Sequence, residues 1–101
     1  MINGEEVFAQ ALADFGQFAT VNGYTLEVLA CLTRDAALAA GYVDLDGPFV
    51  LARLADAEAA GMTYGDTGDQ LEVAGRTYTV KHVEPDALGL VLILLGGHYD
   101  E

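Results

Sequence analysis

Serine and tryptophan are absent from this 101-residue chain, and cysteine occurs once, at Cys31. Without serine, every serine-nucleophile mechanism is excluded. A lone cysteine excludes an internal disulfide framework and suits a reducing compartment. Bases are scarce as well: 4 Lys and Arg face 16 Asp and Glu, for a formal net charge of −12. That charge repels phosphate, so sequence-specific binding of DNA or RNA is disfavoured. The longest uninterrupted apolar run, Leu90 to Leu95, is far short of the ~20 residues of a spanning helix, and no membrane partner is expected. No basic stretch precedes an apolar run at the N-terminus, so no secretory signal is expected either.

Metal and cofactor signatures are equally thin. There is no Walker loop, dinucleotide fingerprint or His-x-x-x-His pair. Asp44-x-Asp46-Gly47 has the look of a calcium-loop fragment. It continues into Pro48-Phe49-Val50, where a calcium loop would carry further ligands. Asp66 and Asp69 read as turn formers, and His98 with Asp100 supplies too few ligands for a site. No cofactor and no metal are expected. Cys31 and His82 are the one combination that could suggest a thiol nucleophile and its base. Cys31 falls in an apolar strand with no basic cluster near it in sequence, which reads as an inert buried thiol.

What is present is a foldable apolar content: 52% of residues are hydrophobic and 20% charged. Such a chain buries enough surface to offset ordering entropy, and its length predicts one domain over 1–101. Asn3 can cap a short amphipathic helix over about 5–15, with Glu5 and Glu6 in its first turn and Val7, Phe8, Ala11, Leu12 and Phe15 at helical spacing. Gly16 is its expected stop. Strands are predicted at about 17–21, 24–32, 49–54, 70–73, 77–83 and 90–95. The first two flank Asn22-Gly23, the pair suited to a type I′ hairpin turn. In the middle, Arg34-Asp35 with Ala36–Ala40 reads as one or two helical turns ending at Gly41, and Asp56–Ala60 as another short turn. Tyr78, Val80 and His82 are expected on one face of their strand, with Thr77, Thr79, Lys81 and Val83 on the other. Leu90–Leu95 is apolar on both faces and must be covered on both, by its own fold or by another subunit. Residues 96–101 read as a loose tail. The sum is a mainly β, small α+β domain: an antiparallel barrel or sandwich of about five or six strands with a short N-terminal helix.

The acids are spread over the whole chain, so no carboxylate pair can be assigned to acid–base work. Their plain reading is solubility. A sharper one is a surface past which nucleic acid slides without sticking.

One stretch is distinctive. Gly68-Asp69-Gln70-Leu71-Glu72-Val73-Ala74-Gly75-Arg76-Thr77-Tyr78-Thr79-Val80 is followed by Val83-Glu84-Pro85-Asp86 and Gly89-Leu90-Val91-Leu92-Ile93-Leu94. It combines a Gly-Asp opening, a glycine-tipped hairpin, a Tyr-x-Val strand, a Pro-Asp turn and a final apolar strand. Together with Phe15-Gly16-x-Phe18-Ala19-Thr20, it resembles the small head–tail joining proteins of lambda-like, long-tailed bacteriophages and prophages. The middle, from Thr33 to Gly61, fits them only loosely.

The resemblance implies a structural virion role without chemistry. Such proteins form a homo-oligomeric ring, hexameric in the lambda-like case, at the neck between head and tail. The implied partners are the portal or connector complex and the tail tube or tail terminator, with DNA passing through the ring and helped to stay packaged. The implied location is the virion neck, after assembly in the bacterial cytoplasm. The partner-facing loops would be the irregular segments 33–47 and 61–69, with Asp35, Tyr42, Asp44, Asp46, Tyr64 and Asp66. Leu90, Leu92 and Leu94 would form a self-association strand. Competing readings are another tail-completion component such as a tail terminator, an acidic DNA-mimic inhibitor, or a small enzyme using Cys31 and His82.

Overall fold

A computed structural model describes residues 16–39, 47–62, 68–85 and 89–97. The expected helix over 5–15 lies outside these residues. Among the described residues there are six strands: β1 (Gln17–Val21), β2 (Tyr24–Cys31), β3 (Phe49–Arg53), β4 (Gln70–Val73), β5 (Arg76–Pro85) and β6 (Leu90–Leu95). Two short helices lie between them, α1 (Arg34–Ala39) and α2 (Leu54–Ala59). All pairings are antiparallel and the sheet closes as β1-β2-β3-β6-β5-β4, with β4 returning to β1. The mainly β class and the barrel architecture follow the expectation from sequence.

The chain makes two three-stranded meanders, and each central strand serves both walls of the barrel. β2 pairs β1 through Tyr24–Val28 and β3 through Val28–Cys31. β5 pairs β4 through Arg76–Thr79 and β6 through Val80–Pro85. Closure comes from β1 on β4, with Ala19 opposite Val73 and Val21 opposite Leu71, and from β3 on β6, from Phe49–Leu94 to Arg53–Leu90.

Alternation then sets the interior. Ala19, Val21, Leu26, Val28, Val50, Ala52, Leu71, Val73, Val80, Val83, Val91, Ile93 and Leu95 all point inward and are buried. β-Branched side chains dominate this set, as suits a pleated, fully covered surface. A six-stranded barrel is narrow enough for such side chains to fill it, so its centre is a core and not a passage. α2 covers one mouth: Ala57 and Ala60 join the core, with Leu54 and Met62 packed against it. The Asn22 side-chain amide donates to the Ala60 carbonyl at 3.2 Å, tying the β1–β2 turn to the end of that helix.

In one place the period-two reading fails. Val80 stands opposite Leu95 and His82 opposite Leu94, so Lys81 is an extra residue, a β-bulge. The bulge shifts alternation by one. His82 therefore lies on the outer side, while Val83, expected to face away from Val80, is buried beside it in the core. The extra residue also bends β5 where it passes from β4 to β6. β5 is longer than expected, β3 stops at Arg53 because Leu54 opens α2, and Gly96 is tied down by its N–H to the Thr79 carbonyl at 2.8 Å.

The two hairpin turns are built alike from unequal residues. Asn22-Gly23 has φ of 52° and 81°, and Ala74-Gly75 has 56° and 77°, both left-handed pairs as a type I′ turn demands. Asn accepts that conformation readily, whereas Ala pays roughly 1–2 kcal/mol for it. Ala74→Asn is therefore expected to stabilise the fold by about 1 kcal/mol, and Asn22→Ala, which also loses the bond to Ala60, to destabilise it by about 2 kcal/mol. Urea unfolding of the two variants measures both signs.

Candidate functional site

The outside of the barrel has two unlike halves. Over β2, β3 and β6 it is apolar: Cys31, Phe49, Leu51 and Leu92 are buried there, with Leu29, Leu90 and Leu94 partly covered. α1 lies on this half and buries Ala37 against it, with Ala36 alongside. The Thr33 hydroxyl oxygen accepts the Ala36 N–H at 3.1 Å and so caps the helix start. This second layer explains why β3 and β6 read as apolar on both faces. Along β2 it also turns one row from exposed at Thr25, through half-buried Glu27 and Leu29, to buried Cys31.

Over β1, β4 and the first part of β5 the outside is polar and uncovered. Thr25, Thr20, Glu72 and Thr77 form one cross-strand row on exposed positions. Gln70 donates from its side-chain amide to the Thr79 hydroxyl at 3.1 Å in the neighbouring row. Phe18 stands among these residues, opposite Glu27 and 71% exposed.

The residues expected to carry function are distributed over both halves. Asp35 is exposed in the first turn of α1, within the helical turn expected there. Tyr42, Asp44, Asp46, Tyr64 and Asp66 lie outside the described residues. Leu90, Leu92 and Leu94 share the apolar outer row of β6, where Leu92 is buried within the chain itself. Both edges of β6 are occupied, by β3 and β5, so it offers no free backbone to a second chain.

Cys31 and His82 do not form a dyad. They occupy the same outer row, with Phe49 and Leu94 between them, since Cys31 pairs Phe49, Phe49 pairs Leu94 and Leu94 pairs His82. Three strand spacings make about 14 Å, beyond any proton transfer between the two side chains. Burial pushes the Cys31 thiol from 9.0 up to about 11, the wrong direction for a nucleophile. His82 instead lies 3.5 Å from Glu84 through Nε2. No group of three or more His, Cys, Asp or Glu converges among the described residues.

All four bases lie in the described residues with seven acids, for a net −3 there. The other nine acids (Glu5, Glu6, Asp14, Asp44, Asp46, Asp66, Asp86, Asp100 and Glu101) lie in the remaining segments with no base. Within the barrel, Arg53 reaches Glu27 at 3.7 Å and Asp56 at 3.5 Å. These are partly exposed pairs and contribute little stability. The arrangement offers surfaces for other macromolecules. It assembles no reactive centre among the described residues.

Sequence reasoning passed over two of those surfaces' main features, the exposure of Phe18 and of Leu38 on α1. For Phe18 the signal was legible: Ala19 and Val21 are inward by alternation, which turns Phe18 outward. For Leu38 it was not, because one face of an alanine-rich turn is as apolar as the next.

Comparison with known proteins adds one match. A family model described as phage head–tail attachment protein covers residues 4–95. No curated protein matches the chain at a significant level.

The raised Cys31 thiol has two consequences. At pH 8 the native protein should react with a maleimide at least about 100-fold more slowly than the unfolded chain, because burial both withholds the thiolate and blocks the reagent. Because the folded pKa lies above the unfolded one, the thiol's contribution to stability is complete below pH 9 and is lost as pH rises from 9 towards about 11. Thiol-labelling kinetics with and without denaturant check the first, and urea midpoints of wild type and Cys31→Ala across that pH range the second.

Proposed function

This chain belongs to the phage head–tail attachment family, and we propose that it forms a ring in the virion neck, between the head connector and the tail, where it helps to retain packaged DNA. Membership makes it a virion component that interacts with head and tail, in a structural family. The carrying observation is the extent of the match, residues 4–95, which takes in every strand and helix among the described residues.

The physical chemistry supports the finer reading. The barrel's interior is filled, so any route for DNA past this protein runs along its surface, between copies. A net charge of −12 suits such a surface, since like charge keeps a sliding polyanion from sticking. The closed sheet leaves loops and helix faces to do the recognition, the usual arrangement on a β scaffold. We assign partner contacts to segments 33–47 and 61–69, with Asp35, Tyr42, Asp44, Asp46, Tyr64 and Asp66. Leu90 and Leu94, half-covered on the outer face of β6, would border the contact between copies, with Leu92 supporting them from below.

Purified protein mixed with DNA-filled, tailless heads is expected to sediment with them, to appear as a ring at the connector by electron microscopy, and to render them competent to accept tails. Packaged DNA should then resist nuclease where untreated heads release it. Binding to tail ends but not to heads would replace this reading with a tail terminator. Cys31→Ala and His82→Ala, once shown to be folded, should join heads to tails as wild type does. A loss in either would reopen an enzymatic role.

A further inference from the structure

We propose that the apolar outer half of the barrel is the docking site for this chain's own N-terminal segment, with residues 5–15 laid across β3 and β6 as an amphipathic helix. The inference goes beyond the neck reading and does not depend on it.

The barrel supplies its own scale for how much cover an outward side chain needs. Thr20, Glu72 and Thr77 point outward from the polar half and are exposed. Phe49, Leu51 and Leu92 also point outward, from β3 and β6, yet they are only 0%, 5% and 6% exposed. Something lies over them. Among the described residues, α1 alone joins this outer cluster from beyond the strands, and it does so through Ala36 and Ala37. α1 packs on β2, at one side of the patch. A buried side chain is touched on all sides, and two methyl groups beside β2 cannot enclose a phenyl ring and two leucines on the two strands beyond. The burial is that of a single chain, so the missing cover comes from the chain itself.

The sequence narrows the choice of segment. Residues 63–67, 86–88 and 98–101 offer one large apolar or aromatic side chain each, Tyr64, Leu88 and Tyr99. In 40–46, Tyr42, Val43 and Leu45 are interrupted by Gly41, Asp44 and Asp46. Only 5–15 carries a continuous apolar stripe, with Val7, Phe8, Ala11, Leu12 and Phe15 at helical spacing. As a helix it spans about 16 Å, enough to cross from β2 to β6, two strand spacings of about 10 Å in all. Its exit is in the right place: Gly16 leads into Gln17, which stands opposite Val28 on β2, next in sequence to Leu29 of the patch. The family match begins at residue 4, so this segment lies within the family's domain. Docked there, it closes the apolar half and leaves half-covered Leu90 and Leu94 at its margin. Partners are left with the loops and the polar half around Phe18.

The test measures proximity in the full chain. A nitroxide is attached to Gln10→Cys, on the side of the segment away from the stripe, while buried Cys31 stays in place as a slow-reacting thiol. Wild type taken through the same labelling is the control. The expected result is a loss of amide NMR signal at Leu51 and Leu92, with the signals of Thr20, Glu72 and Thr77 across the barrel retained. Loss centred on the polar half, or at neither face, would overturn the proposal. Isotope-labelled wild type mixed with nitroxide-bearing protein of natural abundance should keep its Leu51 and Leu92 signals. Their loss in the mixture would make a second copy the occupant and overturn it as well. Leu12→Asp in the nitroxide-bearing chain should restore the Leu51 and Leu92 signals, with the Thr20 and Glu72 shifts reporting an intact barrel, and Leu12→Ile should not. None of these readouts involves heads or tails, so failure here leaves the neck reading standing, and failure to bind heads leaves this one.

Discussion

Closure of the sheet governs the rest of this molecule. Short strands of four to ten residues cannot bury much each, and an open sheet of them would leave two edges of unpaired amides and carbonyls. Pairing β1 to β4 and β3 to β6 removes both edges and turns one face of every strand inward. The closed form needs the long strands β2 and β5 to bend from one wall to the other. At β5 the Lys81 bulge supplies that bend and re-aims Val83 into the core. A barrel that has spent its edges can join other molecules only through side chains, loops and helices, so closure also determines which surfaces remain for assembly.

The two halves of the outer surface follow from how far the chain can cover itself. α1 is six residues long and packs Ala37 into one cluster with Cys31, Phe49, Leu51 and Leu92, against which Leu90, Leu94 and Leu29 are partly covered. The opposite half, with its threonines and Glu72, needs no cover and gets none. A protein whose task is attachment benefits from that asymmetry, because unlike faces can take unlike neighbours. The buried thiol fits this picture as packing: it fills space beneath α1, and its raised pKa is a consequence of burial.

Much of the barrel was legible because period-two alternation and turn chemistry agree along most of the chain. Asn22-Gly23 marked one hairpin, Gly75 the other, and the doubly apolar 90–95 segment announced a strand covered on both sides. The bulge was not legible, since nothing in Thr79-Val80-Lys81-His82-Val83 distinguishes an extra residue from continued alternation; only the partner strand reveals it. The cover over Phe49 and Leu51 was hidden for a related reason. Whether a neighbouring subunit or a short helix shields an apolar row is a property of tertiary contacts. The candidate surface was less legible still, because partner recognition leaves no spacing rule of the kind that metal ligands or catalytic dyads leave.

The charge is best understood together with the filled interior. Were the acids needed to line a pore within one chain, some would have to point into the barrel, and a buried carboxylate without a partner costs several kcal/mol. The core instead contains no buried polar or charged residue among those described. Among the described residues four bases stand beside seven acids, so the described faces of the barrel are only mildly acidic. A polyanion excluded from the centre of each copy can be passed only along a surface made by several copies. The electrostatic argument for a role beside DNA therefore depends on assembly, and the measurement that decides assembly also decides what the acidity is for.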